Sequence, residues 1–308
     1  MKAIRITETL FFIVMAVVLV GCSLAQPAPT ATPTFTPIPA ATLQPVDAQR
    51  TLTVNGLERS YLLHIPSGIG AGQPAPLVFV FHGYQETASY IQFTSGFNDI
   101  ADRGSFIVVY PNGSGDGSAL SWNANGCCGY AVSNNVDEAA FIRQIIADLG
   151  TLARIDPKRT YAAGFSNGAR LSYRLACEMS DTFAAVAPVA GALITEPCQP
   201  GQAVSVINFQ GLIDNVVPYA GGGVIPSTGK PFPPAEQSIA AWVQLDGCEN
   251  TPKVDQTAIF THTAYSACRN GSAVELYAVK SMGHGWPSQY VVPASQLIWE
   301  FFAAHPKP

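Results

Sequence analysis

The sequence predicts an α/β fold, with a mostly parallel central sheet flanked by helices. From residue 51 onward, short apolar segments with the length of strands alternate with longer segments of helical periodicity. The run at 77–81 is apolar at every position, as expected of a strand buried on both faces of a parallel sheet. The chain has 308 residues, of which 48% are hydrophobic, so it can bury one substantial core and a single folded domain is expected.

Local signals place the elements of this fold in order. Asn55-Gly56, between strand-like segments at 51–54 and 60–65, indicates a hairpin at the edge of the sheet. Gly104 ends the first expected helix, and Asp137 caps the second. Apolar runs predict further strands at 77–81, 106–110, 159–163, 183–189, 204–209 and 275–279. The expected helices are 91–101, 137–152, one ending near 179, 235–245 and 294–304.

The N-terminal region has the features of an export signal followed by a tether. Lys2 and Arg5 precede an apolar run at 10–20, which is typical of a secretory signal and short for a membrane span. Leu19-Val20-Gly21-Cys22 resembles a bacterial lipobox, which implies a lipid on Cys22 that anchors the protein to a membrane; simple secretion is the alternative. Residues 23–46 are rich in Pro, Thr and Ala and carry no charge, so they are expected to form a linker. The expected segments are a signal peptide at 1–21, a lipid-anchored linker at 22–47 and a folded domain at 48–308.

The charge balance argues against one class of partner. Sixteen basic and 21 acidic residues give a formal net charge of -5, and Lys and Arg do not cluster along the chain. Nucleic-acid binding depends on concentrated positive charge, so no nucleic-acid partner is expected.

Six cysteines remain after Cys22, an even number that favours disulfide bonds in an exported protein. Separation along the chain favours three pairs, Cys177 with Cys198, Cys248 with Cys268, and Cys127 with its neighbour Cys128. Zinc is the alternative for the adjacent cysteines, but neither a second C-x-x-C nor a suitably spaced histidine accompanies them, so no metal is expected.

The segment Gly164-Phe165-Ser166-Asn167-Gly168 fits the pattern G-x-S-x-G between a predicted strand and a predicted helix. So sharp a turn brings the residues two positions from the serine against the sheet or the helix, and glycine avoids that collision. The turn presents Ser166 as a nucleophile and directs the amide of Asn167 towards the place where an oxyanion develops. A glycine-rich turn with a solvated serine is the alternative.

A serine nucleophile needs a base, and the chain has five histidines. His64 and His262 lie in strand-like segments, His82 follows a strand, and His305 is in the C-terminal tail. His284 lies between two glycines, on a loop after the last predicted strand. His284 is therefore the expected base.

The acid is expected on a loop between the serine and the histidine in sequence. Asp214 directly follows the strand predicted to end at residue 209, and a carboxylate there can orient and stabilise the imidazolium. Asp246, near the end of a predicted helix, is the alternative acid.

Three further groups are candidates for contact with substrate. The backbone amide of Tyr84, after an early central strand, is the expected second oxyanion donor beside Asn167, and His82 is expected to fix that loop. Trp122, in a long Gly/Asn/Ser-rich loop at 111–136, and Trp286 are candidate walls of a substrate site, with core packing as the alternative.

Several separated motifs carry a resemblance to a known family. They are HGY at 82–84, WN at 122–123, CCG at 127–129, VDE at 136–138, IDPKRTYAAGFSNGARLSYRLAC at 155–177, DNVVPY at 214–219 and GHGWP at 283–287. Through them residues 50–305 resemble the esterase family that groups polyhydroxybutyrate depolymerase-like proteins with bacterial feruloyl and acetyl-xylan esterases. The resemblance implies an α/β-hydrolase fold and an extracellular carboxylic ester hydrolase without a cofactor, with Ser166, Asp214 and His284 as its triad.

The chain departs from the family pattern at two places. Gln210-Gly211-Leu212 stands where members commonly have His-Gly-Thr, which alters the surroundings expected for Asp214. Glu138 replaces the second acid of the usual Val-Asp-Asp, a mild change.

Family analogy favours plant cell-wall esters, such as feruloyl or acetyl groups on xylan, as substrates. Aliphatic polyesters such as polyhydroxybutyrate are the alternative. A serine peptidase is disfavoured because no length is spare for a gating domain. A binding protein that kept the fold without catalysis is disfavoured by the complete triad.

Overall fold

The computed structural model describes residues 45–308, except for residues 71, 118 and 227. The predicted signal peptide, the lipidation site Cys22 and most of the predicted linker lie outside the described residues. Within the part that is described, no helix combines the length and the apolar character needed to cross a bilayer.

Strands and helices alternate through most of the described chain. The strands are β1 (Val46–Val54), β2 (Leu57–Ile65), β3 (Ala75–Phe81), β4 (Ile107–Pro111), β5 (Ile155–Phe165), β6 (Ala185–Val189), β7 (Ser205–Gly211), β8 (Lys253–Gln256), β9 (Phe260–Tyr265) and β10 (Val274–Val279). The helices are α1 (Ala88–Ser95), α2 (Phe97–Gly104), α3 (Gly129–Ser133), α4 (Glu138–Leu149), α5 (Asn167–Glu178), α6 (Ala235–Asp246) and α7 (Ala294–Ala304).

All ten of these strands form one sheet, in the order β1-β2-β4-β3-β5-β6-β7-β10-β9-β8. The six central strands, from β4 to β10 in this order, pair in parallel. Antiparallel hairpins flank them, β1–β2 at one edge and β8–β9 at the other. The prediction of a mostly parallel sheet flanked by helices is therefore confirmed.

The helices cover both faces of this sheet. Alternate side chains of β3 separate accordingly, since Leu77, Phe79 and Phe81 belong to one apolar core and Val78 and Val80 to the other. The first core includes residues of α4, α5 and α6, and the second includes residues of α1, α2 and α7. Burial on both faces explains why β3 is apolar throughout.

The register of the central strands brings several loops to one edge of the sheet. Gly164 near the end of β5 is level with Phe81 at the end of β3 and with Pro188 of β6. Parallel strands end at the same edge, so the loops after β3, β5, β7 and β10 meet there.

Two details of the elements differ from expectation. The single helix expected at 91–101 is two helices, because Gly96 adopts a left-handed conformation with φ of 62° and ends α1. Of the hairpin β8–β9, a strand was expected only around His262 in β9. Strand β8 was not expected, because every residue of Lys253–Gln256 is exposed and the strand has no apolar alternation.

The three disulfides join the pairs that the sequence favoured. Cys177 at the end of α5 bonds Cys198, and Cys248 after α6 bonds Cys268. Cys127 and Cys128 are bonded to each other across a cis peptide.

A buried ion pair supports the long loop between β4 and α4. Arg59 Nη2 donates to Glu138 Oε2 at 2.9 Å, and the guanidinium lies 4.0 Å from the centre of the Phe141 ring. The other carboxylate oxygen accepts the N–H of Asn123 at 3.0 Å, which fixes the loop to α4. The side chains of Arg59 and Glu138 are 3% and 1% exposed, so each charge depends on the other.

Replacement of Glu138 tests this dependence. Glu138→Ala leaves the Arg59 guanidinium buried without its partner and is expected to lower the free energy of unfolding by about 3 kcal/mol. Glu300→Ala, at an exposed position of α7, is the matched control and should stay within about 0.5 kcal/mol of the unsubstituted protein. Urea unfolding measures both, and equal effects would contradict a stabilising role for the pair.

Candidate active site

Ser166 occupies the sharp turn between β5 and α5. Its backbone has φ of 53° and ψ of −109°, a conformation that costs energy for a residue with a side chain. A Cβ atom on Gly164 would collide with the carbonyl of Gly168, and a Cβ atom on Gly168 would collide with the carbonyl of Phe81. The two glycines thus permit the turn, and the N–H of Ser166 secures it through a 2.9 Å bond to the carbonyl of Val189.

Three side chains that are far apart in sequence form one hydrogen-bonded chain. His284 Nε2 lies 2.9 Å from Ser166 Oγ, and His284 Nδ1 lies 2.8 Å from Asp214 Oδ2. Asp214 and Ser166 are buried, and the imidazole is largely shielded. The structure therefore brings together the serine, histidine and aspartate singled out in the sequence.

The carboxylate of Asp214 is fully engaged. Oδ1 accepts the backbone N–H groups of Val216 and Val217, both at 2.8 Å, and Oδ2 also accepts Gln210 Nε2 at 3.1 Å. Burial opposes ionisation of Asp214, but the hydrogen bonds from His284, Val217 and Val216 outweigh it and lower the pKa of this carboxyl below its ordinary value. Asp214 is therefore an anion at neutral pH.

The loops that carry the aspartate and the histidine are joined through their backbones. The N–H of Leu212 donates to the carbonyl of Val279 at 2.9 Å, and the N–H of Ile213 donates to that of Met282 at 3.2 Å. A Cβ atom on Gly211 would collide with the carbonyl of Met282, so glycine allows the two loops to approach. This contact sets the position of His284 relative to Asp214.

Two backbone amides, those of Asn167 and Tyr84, were expected to be oxyanion donors, and this role stays a prediction. The N–H of Asn167 is the first of α5 and has no acceptor within the helix by its position. Among the described residues, the N–H of Tyr84 donates to no protein acceptor. The preceding N–H, of Gly83, donates to Glu86 Oε2 at 2.7 Å and is not available. Burial raises the pKa of Glu86, while the Gly83 N–H and the nearby His284 oppose the rise.

His82 fixes the loop that carries Tyr84, as expected. It is fully buried, and its Nε2 accepts the N–H of Gly113 at 2.9 Å. Nδ1 must then carry the proton, which it donates to the carbonyl of Gly83 at 2.7 Å. Burial lowers the pKa of His82 to about 4, so this ring stays neutral and does not compete as a base.

Trp122 lies in the core, so of its two expected roles core packing is the one that the structure supports, and its assignment as a substrate-binding residue is corrected. Its side chain is fully buried against Phe81 and His82, and its indole N–H donates to the carbonyl of His82 at 2.9 Å. The amide side chain of Asn167 bonds both backbone groups of Trp122 and the carbonyl of Cys127. Trp122 thus supports the site from beneath.

Trp286 keeps a partly exposed side chain close to His284. Its indole N–H donates to Ser295 Oγ at 3.0 Å, and its ring packs edge-on against Phe97 with centroids 6.2 Å apart. These contacts attach the histidine loop to α2 and α7. Contact between Trp286 and a substrate stays a prediction.

Asp246, the alternative acid, does not reach the histidine. It is fully buried at the end of α6, where its Oδ1 accepts the N–H of Val204 at 3.3 Å. Burial raises the pKa of Asp246 to about 6. Asp214 alone of the two meets His284.

The strand order, the turn at Ser166 and the hydrogen-bonded chain define an α/β-hydrolase with a serine, histidine and aspartate at the carboxyl edge of its sheet. A family model described as esterase PHB depolymerase matches residues 59–219. The chain belongs to this esterase family.

Named relatives agree with this membership. Feruloyl esterase B of Piromyces equi is 32% identical over 233 residues, which are 73% of this chain and 42% of that protein. The chain thus spans less than half of that relative. Feruloyl esterase C of Emericella nidulans is 29% identical over 288 residues, which are 88% of this chain and 94% of that protein. An acetyl xylan esterase from Aspergillus awamori shares the fold with a TM-score of 0.57, at 15% identity over 83% of this chain and 99% of that one.

Three residues near the triad were given no role from sequence. Gln210 bonds Asp214, Glu86 binds the loop that carries Tyr84, and Arg170 lies buried one helical turn after Ser166. Two of them had a sequence signal: Gln210 belongs to the departure from the family's His-Gly-Thr before Asp214, and Arg170 follows the nucleophile by four residues, a spacing that shares a helix face. No sequence signal marked Glu86.

A methyl group at Gly168 tests the constraint on the turn. The new Cβ of Gly168→Ala would collide with the carbonyl of Phe81 and lie 2.7 Å from that of His82, so the loop carrying Tyr84 must move. A shift of this size is expected to lower kcat/KM for a simple ester by about a hundredfold. Gly201→Ala is the control, since its Cβ has Ser180 Oγ at 3.8 Å as its nearest neighbour. Equal activity of both variants would contradict the steric account.

Asp246→Asn tests whether Asp246 or Asp214 is the acid of the triad, because it is expected to change stability and not activity. The folded protein holds a proton on Asp246 up to about pH 6, whereas the unfolded chain releases it near its ordinary value of 3.8. Ionisation therefore costs the wild-type fold stability as pH rises between these values. Asparagine cannot ionise, so Asp246→Asn is expected to abolish this loss of stability, and urea unfolding from about pH 4 to pH 7 measures the free energy of unfolding. Ester hydrolysis is expected to stay unchanged. A folded variant without activity would contradict the assignment of Asp214.

Proposed function

We propose that the protein is a serine carboxylic ester hydrolase that works through an acyl-enzyme. The observation that carries the proposal is the position of the His284 ring, which bridges Ser166 Oγ and Asp214 Oδ2 at 2.9 and 2.8 Å. Membership of an esterase family supports the same reaction.

The first half-reaction forms the acyl-enzyme. His284 Nε2 takes the proton of Ser166 Oγ as that oxygen attacks the ester carbonyl carbon. The ionised carboxylate of Asp214 stabilises the imidazolium that results. The negative charge on the former carbonyl oxygen is stabilised by the N–H groups of Tyr84 and Asn167, the second of which lies at the N-terminus of α5. Collapse of this tetrahedral intermediate completes the acyl-enzyme, because the bond to the alcohol oxygen breaks and that oxygen receives the proton from His284 Nε2.

The second half-reaction releases the acid. The neutral imidazole then takes a proton from water, whose oxygen attacks the acyl carbon and displaces Ser166 Oγ. The proton returns to Oγ, and the free acid leaves.

A plant cell-wall ester is the proposed substrate class. Two relatives are named feruloyl esterases, and one of them aligns over nearly its whole length. Trp286, partly exposed beside the histidine, is the proposed surface for an acyl or sugar group. An aliphatic polyester is the alternative, because the family is described as a PHB depolymerase esterase family.

Export to the cell surface belongs to the same proposal. The basic residues and apolar run before Cys22, and the lipobox-like sequence that ends in it, support a lipid anchor on a membrane. The uncharged linker then carries the esterase outward to polymeric substrate.

Ser166→Ala is the decisive variant. Loss of the attacking oxygen is expected to lower kcat/KM by at least about a thousandfold on every ester. Hydrolysis of p-nitrophenyl acetate, methyl ferulate, acetylated xylan and a short hydroxybutyrate oligomer measures the loss and ranks the substrate classes. Ser266→Ala, an exposed serine after β9, is the control and should keep full activity.

A serine-directed phosphonate provides an independent measurement. Mass spectrometry should locate the phosphonyl group on Ser166 in the wild type and detect none in Ser166→Ala. Ester hydrolysis that survives this substitution would refute the nucleophile, and a folded wild type inactive on the whole panel would favour a binding protein.

A further inference from the structure

Arg170 is a buried cation without an anionic partner. Its side chain is 3% exposed, and among the described residues no carboxylate forms an ion pair with it. Nε is enclosed without an acceptor, and Nη1 faces only Cys128 Sγ at 3.7 Å. Nη2 has no protein acceptor in the described part of the chain and is not among the enclosed atoms.

The other buried arginine shows what this fold does with a structural guanidinium. Arg59 is paired with Glu138 at 2.9 Å and stacks on Phe141. Arg170 has the ring of Phe232 at 4.6 Å, but no carboxylate in contact. Burial lowers the pKa of Arg170 to about 10, which leaves it charged at neutral pH. An unpaired buried charge is costly and a cation–π contact offsets only part of that cost, so Arg170 is a candidate for a role beyond the stability of the fold.

The position of Arg170 relates this charge to the nucleophile. Its backbone N–H donates to the carbonyl of Ser166 at 3.2 Å, so the two residues are one helical turn apart. Long side chains of a helix point back towards its N-terminus, which here is the active site. Asp214 lies near enough to stabilise the charge of Arg170, but its oxygens are committed to His284, Gln210 and backbone amides.

One of the groups that cover the guanidinium borders open space. Phe232, whose ring centre lies 4.6 Å from the Arg170 guanidinium, also lines a cavity of about 860 Å³. Ile225, Pro234 and Leu245 are among the other walls of this cavity, and Arg170 itself does not line it. The cavity provides space into which the Phe232 ring can move.

We infer that Arg170, with the Cys127–Cys128 disulfide as its wall, forms a subsite for a carboxylate carried by the ester substrate. The inference rests on the proposed esterase function and adds a substrate class to it. A guanidinium binds a carboxylate through hydrogen bonds, and Nη2 is the donor that has no protein acceptor and is not enclosed; Nε also lacks an acceptor but becomes accessible only if the covering groups move. Because Arg170 follows Ser166 by one helical turn, the carboxylate is expected on the same substrate molecule as the scissile ester.

Two kinds of substrate present such a carboxylate. A uronic acid branch lies close to acyl groups on a cell-wall polysaccharide, and a hydroxyalkanoate oligomer ends in a free acid. The subsite recognises the same group in both, so matched probes are needed to separate them.

Three pairs of probes test the subsite, and within each pair the two compounds differ mainly in the presence of one carboxylate. The first is the p-nitrophenyl half-ester of succinate against p-nitrophenyl butyrate, which tests the acyl side. The second is the dimer of 3-hydroxybutyrate as free acid against its terminal carboxamide. The third is acetylated xylo-oligosaccharide with and without a glucuronic acid branch. The ratio of kcat/KM, charged over neutral, is the quantity measured for each pair.

The wild type is expected to favour the charged member of at least one pair, and that pair identifies the source. Arg170→Met should lower this ratio by about tenfold or more. Arg170→Lys keeps the positive charge but loses the planar guanidinium, so its ratio should lie between those of the wild type and Arg170→Met. Arg143→Met, an exposed position of α4, removes the same charge elsewhere and should leave the ratio unchanged.

Several outcomes would overturn the subsite. A wild type without preference in any pair would do so, as would equal losses on charged and neutral members in Arg170→Met. If Arg170→Met does not fold, Arg170→Lys decides, because an unchanged ratio there also contradicts a contact with the guanidinium. Activity abolished by Ser166→Ala in the same assays would keep the esterase proposal intact whichever result Arg170 gives.

Discussion

The closeness of Gly164 to Gly168 is the constraint on which the rest of the site depends. No side chain fits between the end of β5 and the first turn of α5, so the chain reverses there through the unusual conformation of Ser166. This turn fixes the positions of three groups of the site. It presents the serine side chain, leaves the first amide of the helix, at Asn167, without an acceptor within the helix, and places Arg170 one helical turn after the serine. The strained backbone conformation of Ser166 thus holds the groups of the site in fixed positions.

The other loops of the site are held by hydrogen bonds of their own. The loop of Asp214 and the loop of His284 are joined to each other by backbone hydrogen bonds. The loop that carries Tyr84 is held by the neutral ring of His82 and by Glu86, and the amide of Tyr84 has no protein acceptor among the described residues. If the amides of Tyr84 and Asn167 bind the oxyanion as proposed, these fixed positions limit the reorganisation that the reaction requires.

Much of this arrangement could be predicted from sequence because its signals are local. Glycines around Ser166 and His284 mark turns, and an apolar run such as 77–81 marks a central strand whatever surrounds it. Glu86 was missed, and Gln210 was noted only as a departure from the family pattern, because their roles depend on contacts with Gly83 and Asp214 that no periodicity records. Trp122 was left ambiguous for the same reason, since an aromatic residue in a polar loop can face either the solvent or the core. The hairpin strand β8 lacks apolar alternation, so the pattern that identifies strands is absent there.

The two buried arginines serve different purposes, structural stability for Arg59 and, as inferred, recognition of a ligand for Arg170. Arg59 donates through Nη2 to Glu138 and to the carbonyl of Asn112, so its charge is compensated inside the protein and holds the long loop in place, although its Nε has no acceptor. Arg170 is largely buried against a disulfide sulfur and an aromatic ring, which supply only one weak acceptor, Cys128 Sγ. In that low-polarity setting an added carboxylate interacts more strongly than it would at the surface. The cost of leaving a charge unpaired in the free enzyme is therefore recovered only when a substrate with the matching charge is bound, which makes the pairing a source of selectivity.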